Sequence, residues 1–193
     1  MSEIHAVAVY CGSRIGNDPA FRVAAHELGR GLATAGLRLV YGGGRIGLMG
    51  IIADAALAAG GNVLGVIPEF LTRREVAHPA VSDIIVTDSM HSRKQRMFEA
   101  ADAFVSLPGG LGTLDETIEI ITWRQLGLHA KPILICNVAT SASPFLATIE
   151  AAIGAEFAPP ATRELYEVVN GVPATLERLM QLHGGGMGEP ARM

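Results

Sequence analysis

Apolar and polar positions follow two rhythms along this chain. Short apolar runs rich in Val, Ile and Leu stand at Ala6 to Tyr10, Leu37 to Tyr41, Val63 to Ile67, Ile84 to Thr87, Ala103 to Leu107, Ile133 to Cys136 and Tyr166 to Val169. Between them lie stretches in which apolar residues recur at three- and four-residue spacing: Pro19 to Ala35, Leu48 to Ala59, Met90 to Ala101, Thr113 to Leu126, Pro144 to Ala155 and Pro173 to His183. The first rhythm predicts seven strands and the second predicts helices between them. Strands that are apolar along their length and alternate with helices predict a mainly parallel, doubly wound, Rossmann-like α/β sheet with helices on both faces.

Ligands of such sheets bind outside the carboxyl ends of the strands, and glycine falls at those ends. It stands in Cys11-Gly12-Ser13 after the first strand, in Gly42-Gly43-Gly44 after the second and in Pro108-Gly109-Gly110 after the fifth. These three loops are expected to converge on one crevice. At 193 residues the chain fits one domain, taken as residues 1–183. The Gly-rich tail at 184–193 lacks apolar periodicity and is expected to be disordered.

Composition narrows the chemistry. A net charge of −4 offers no field for a nucleic acid polymer. No apolar run reaches the roughly 18 residues of a membrane span, and the acidic N-terminus does not read as an export signal, so a cytoplasmic protein is expected. Cys11 and Cys136 are spaced as buried free thiols. The six histidines show no metal-ligand spacing, and no metal or cofactor is expected. Lys94 and Lys131 are the only lysines, which leaves a pyridoxal phosphate enzyme two candidates for its Schiff base.

Gly42 to Gly47 reads GGGRIG and formally satisfies GxGxxG. A dinucleotide fingerprint belongs in the first strand–helix turn, with an acid about 20 residues later. This one lies in the second turn, and Asn62 to Ile67 supplies no acid. It reads instead as a close backbone approach to a smaller ligand, or as a tight turn. Pro108-Gly109-Gly110-Leu111-Gly112-Thr113 carries more: glycines before a long helix let backbone amides face an anion where the helix dipole favours one. No lysine follows as in a triphosphate loop, so a single phosphate fits best. The bland alternative is that Thr113 caps the helix and Glu116 closes a capping box. Asp115 stands beside Glu116 and could share its role, and Arg93 with Lys94 places a basic pair near the same crevice.

PGGLGTLDE at Pro108 to Glu116 and MHSRK at Met90 to Lys94 together resemble the paired signature of the Lonely Guy family, the cytokinin riboside 5'-monophosphate phosphoribohydrolases. YCGS at Tyr10 to Ser13, GGGRIGLMG at Gly42 to Gly50, GVIP at Gly65 to Pro68 and ITWRQLGLHAKP at Ile121 to Pro132 extend the likeness to about Val169. The resemblance implies that Arg93 and Glu116 are the catalytic pair and that Gly109, Gly110, Gly112 and Thr113 form the phosphate loop. It further implies that Met90 and Lys94 line the nucleotide site, that Gly12, Ser13 and Gly44 face the sugar and base, and that Glu75 and Thr122 touch substrate. The implied reaction is hydrolysis of the N-glycosidic bond of adenosine-type 5'-monophosphates, N6-prenylated ones favoured and AMP a simpler substrate. It argues against the lysine decarboxylase label that members of this family have carried. A homodimer is also implied, and the many apolar residues of the helix at Thr113 to Leu126 suit one. Leu48, Met49 and Met90 are candidates for contact with a prenyl group. The rival reading is a carrier of nucleotide or molybdenum cofactor, which needs the loop and has no evident use for Arg93 and Glu116.

Overall fold

The computed structural model describes residues 3–72, 77–81 and 83–184. Seven strands form one sheet: β1 (Ala6–Tyr10), β2 (Arg38–Tyr41), β3 (Val63–Pro68), β4 (Asp83–Thr87), β5 (Ala103–Ser106), β6 (Ile133–Asn137) and β7 (Glu167–Asn170). Their order is β4-β3-β2-β1-β5-β6-β7, and all six pairings are parallel. The helices are α1 (Pro19–Thr34), α2 (Gly47–Ala58), the single turn α3 (Glu69–Leu71), α4 (Met90–Glu99), α5 (Leu111–Gln125), α6 (Ser143–Gly154) and α7 (Gly171–Gly184), with a 3₁₀ turn at Pro160–Leu165. The expected strands and helices all form, most of them shifted by a few residues at their ends, whereas α3 and the 3₁₀ turn carry no sequence periodicity that would announce them. Gly184 ends α7 rather than opening a tail, and 185–193 lie outside the described residues.

Each central strand divides its side chains between two cores, as a period of two requires. Val7, Val9 and Cys11 join one core with Leu28 of α1, Ile52 of α2 and Leu179 of α7. Ala8 and Tyr10 join the other with Met97 of α4, Ile120 of α5 and Ile149 of α6. The helices therefore cover both faces, three to a side. The strand order reverses between β1 and β5: the chain leaves β1 for one face through α1 and leaves β5 for the other through α5. The two connections part company there, and a crevice opens at the carboxyl ends of these strands. Among the described residues no helix is long and apolar enough to cross a membrane. Cys11 and Cys136 are both free and buried.

Candidate active site

The loop after β1 and the loop after β5 are joined where they leave the sheet, Gly12 N donating to Pro108 O at 3.1 Å. They flank a cavity of about 600 Å³ lined by Gly12 to Gly16, Phe21, Leu48, Pro108 to Leu111 and Ser141. Four of the expected site residues, Gly12, Ser13, Gly109 and Gly110, lie on its wall.

The helix facing this cavity begins without a side-chain cap. Gly110 is the N-cap of α5, and the first bond along the helix is Leu114 N to Gly110 O at 3.1 Å. The amides of Leu111, Gly112 and Thr113 precede that bond and belong to the set a helix cannot satisfy from within. This overturns the capping-box alternative: Thr113 is the third helical residue, 6% exposed, and Glu116 lies in the second turn. The reason is that Gly109 and Gly110 let the helix start earlier than a threonine cap would. A Cβ on Gly109 would stand 2.0 Å from Thr113 Oγ1, so the loop folds down onto the helix only as glycine. Thr117 fixes α5 to the sheet from beneath, donating to Thr113 O at 2.7 Å and meeting Ser106 Oγ of β5 at 2.9 Å.

The start of α4 is built the opposite way. Ser89 caps it, accepting from Ser92 N at 3.1 Å, while Ser92 Oγ takes Ser89 N at 3.2 Å. This box presents Arg93 inward, where its side chain is buried at 5% exposure. Arg93 Nε donates to Val66 O at 3.1 Å, and Nη2 donates to Gly42 O at 2.9 Å, so the guanidinium is seated on backbone carbonyls of β3 and of the turn after β2. Met90 Sδ is 3.8 Å from Nη1. One residue on, Lys94 Nζ lies 3.1 Å from both Asp115 and Glu119, tying α4 to α5 across the half-buried Glu116 turn. Burial, which would lower the Lys94 pKa, is outweighed by its hydrogen bonds to these two carboxylates, and the pKa is raised.

Two residues at the end of β1 register Glu116 and Arg93 together. Burial pushes up the Cys11 thiol, the charge of Glu116 adds to the rise, and Arg93 opposes it. The Tyr10 phenol is raised by burial first, then by Glu116 and Glu119, again against Arg93. A carboxylate and a guanidinium thus act on the same point of the sheet, beside the β1–β5 crevice.

Other expected positions fall elsewhere. Gly44 is buried and bridges to Ala77 in antiparallel fashion, outside the cavity lining. The glycines of GGGRIG serve approaches within the protein: a Cβ on Gly47, where φ is 65°, would lie 2.2 Å from the carbonyl carbon of Ser13. Gly112 is exposed on the first turn of α5 with open space around it. Thr122 is exposed, its hydroxyl bonded to Ile118 O at 2.8 Å, and it does not line the cavity. Glu75 lies outside the described residues. Of the apolar candidates, Leu48 lines the cavity and Met49 is in the core. Lys131 packs over the Phe98 ring at the amino end of β6, away from the crevice. Sequence reasoning missed Arg14, Ile15, Phe21 and Ser141 as wall residues. Arg14 was visible as a charge next to Gly12-Ser13, whereas Ser141 reaches the site only because β6 neighbours β5. Among the described residues, no three His, Cys, Asp or Glu are grouped to hold a metal ion.

A family profile described as "Possible lysine decarboxylase" matches residues 49–179. The cytokinin riboside 5'-monophosphate phosphoribohydrolase of Rhodococcoides fascians is 46% identical over 159 residues, covering 82% of this chain and 80% of its own. The enzyme of the same name from Oryza sativa subsp. japonica is 42% identical over 181 residues, 94% of this chain and 74% of its own. Among solved structures, the molybdenum cofactor binding protein of Rippkaea orientalis matches with a TM-score of 0.70 at 22% identity, over 91% of this chain and 95% of its own. The Moco carrier protein of Chlamydomonas reinhardtii matches with a TM-score of 0.70 at 23% identity, over 93% and 98%. At that identity the likeness is one of fold.

Proposed function

The chain belongs to the Lonely Guy family of cytokinin riboside 5'-monophosphate phosphoribohydrolases, and we propose that it hydrolyses the N-glycosidic bond of adenosine-type 5'-monophosphates, N6-prenylated ones foremost. Water adds at C1' of the ribose and the bond to the base nitrogen breaks. Free base and ribose 5-phosphate leave.

The observation that carries this reading is the build of α5. Its uncapped, glycine-made start opens onto the cavity, and one turn further on the same helix bears Glu116. A phosphate held at the helix start, on amides and against the positive end of the dipole, fixes the sugar relative to that carboxylate. Cleavage builds positive charge on the ribose, as in glycosidases, and Glu116 stabilises that charge or orients the attacking water. Arg93, seated on Val66 O and Gly42 O, keeps a fixed positive charge near Glu116 and acts as a positioning residue. Lys94 and Asp115 hold α4 against α5. Gly12, Ser13, Gly109 and Gly110 form the wall toward the nucleotide, and Leu48 offers it an apolar contact.

We take the working form to be a cytoplasmic homodimer. Ile120 and Ile121 of α5 are buried against the sheet, while Leu111, Leu114, Ile118 and Leu126 leave an apolar surface open in the single chain. A twofold partner would cover it.

The test is product analysis with AMP and isopentenyladenosine 5'-monophosphate, following base and ribose 5-phosphate for wild-type and Glu116→Gln protein. Wild type is expected to release both products. Glu116→Gln should bind AMP and lose turnover by at least about a hundredfold. A folded wild type that binds AMP and releases neither product overturns the assignment.

A further inference from the structure

Among the described residues, Arg14 is the one charged residue on the cavity wall, which otherwise consists of glycine, serine, proline and apolar side chains. In a chain of net charge −4, this crevice has a positive charge and, among the described residues, no carboxylate on its lining. The Arg14 side chain is exposed, and its guanidinium makes no hydrogen bond or ion pair among the described residues. Arg45, the neighbouring basic residue, lines no part of this cavity.

The backbone beneath Arg14 is held firmly. Gly12 O accepts from Leu48 N at 2.9 Å, and Gly12 N is bonded to Pro108 O. A Cβ on Gly47 would stand 2.4 Å from Arg14 N, so the start of α2 packs directly against the peptide that carries this arginine. Gly47, the last glycine of GGGRIG, thereby gains a purpose: the Arg14 loop rests on it, and Arg14 shares the cavity wall with the uncapped start of α5.

We propose that Arg14 is a specificity-determining residue that closes over the substrate's 5'-phosphate opposite the α5 amides and so discriminates nucleotide from nucleoside. This rests on the hydrolase reading above. An anion at the start of α5 would be held from one side by backbone N–H groups and from the other by a guanidinium fork, whose two parallel donors suit phosphate oxygens. The contact is to a group remote from C1', and its energy is available equally in ground and transition states, so its loss is read in KM more than in kcat.

The experiment compares wild type, Arg14→Gln and Arg14→Lys for AMP turnover and, by calorimetry, for binding of AMP and of adenosine. Arg14→Gln should raise KM and Kd for AMP about tenfold, the scale of one hydrogen bond to a charged group, with kcat changed far less. Adenosine affinity should move much less, and Arg14→Lys should recover part of the AMP affinity. The wild-type KM for AMP should also rise more steeply with salt than that of Arg14→Gln. Equal AMP affinity in wild type and Arg14→Gln, or an equal loss for AMP and adenosine, overturns the proposal. Absence of turnover in wild type would defeat the hydrolase reading separately, and the calorimetric comparison would still decide whether Arg14 reads phosphate. Since Arg14 is exposed and unpaired among the described residues, melting temperatures of the three proteins should coincide.

Discussion

Helices α4 and α5 follow β4 and β5, and each carries one of the two residues expected to be catalytic, Arg93 and Glu116, yet their first turns are built on opposite plans. At α4 the Ser92 amide and the amide of the cap itself are satisfied by side chains, with Ser89 and Ser92 closing a reciprocal box. At α5 the cap is Gly110, and the leading amides are left to whatever enters the cavity. The difference follows from what each helix delivers. The α4 start holds a side chain, Arg93, in a buried position that demands a fixed backbone. The α5 start offers the backbone itself, which demands that no side chain get in the way. A capped helix start makes a support, and an uncapped one beside a cavity makes a binding surface.

The largest effect is expected where the α4 support is removed. Arg93→Ala leaves Val66 O and Gly42 O without their donor in a buried setting, and chemical denaturation should show a loss of about 2 kcal/mol or more. Turnover should fall with it, whereas a protein of wild-type stability would contradict the role of Arg93 as a support. At α5, Gly109→Ala forces a Cβ against Thr113 Oγ1, and KM for AMP should rise on the order of ten- to a hundredfold. Gly112 sharpens the contrast, since a Cβ there meets nothing within 4 Å. Gly112→Ala should leave stability unchanged or improve it by about 0.5–1 kcal/mol, while raising KM through contact with the substrate alone. Ser89→Ala should cost about 1 kcal/mol of stability with a minor change in KM, because the cap acts through the helix and not on the ligand.

The smallest effect concerns the link between the two helices. The Lys94 pKa is raised in the folded protein by Asp115 and Glu119, against burial. The stability it contributes is therefore complete below the ordinary lysine pKa and is lost as pH rises through the folded value. Thermal melts of wild type and Lys94→Met should differ at neutral pH and converge in strongly alkaline buffer. A difference that persists there would assign the effect to packing of the lysine stem.

The strands and helices were legible because each carries a period that burial enforces: two residues for a strand covered on both faces, about 3.6 for a helix covered on one. The edge strands β4 and β7 are the exposed ones, with Val86 of β4 and Val168 of β7 open to solvent. The glycines at strand ends were legible as well, although their purposes were not. Gly109 and Gly110 do shape an anion-ready helix start, while Gly44 and Gly47, in a segment that looks just as ligand-like, serve contacts within the protein. Local sequence gives the same glycine in both cases, and only the identity of the nearest atom distinguishes them.

By itself, the sequence determined the order of elements, the parallel sheet, the glycine loops at the carboxyl ends of the strands and, through the resemblance of its motifs, the family. These properties are local, or repeat along the chain, and so are written in residue type and spacing. Tertiary structure decided that β1 and β5 stand side by side, that Thr113 is buried within α5 and not its cap, that Arg93 is seated on two distant carbonyls, and that Arg14 and Ser141 share a wall. Each of these depends on contacts between segments far apart in the chain, and such contacts are fixed only when the sheet assembles and its two cores close.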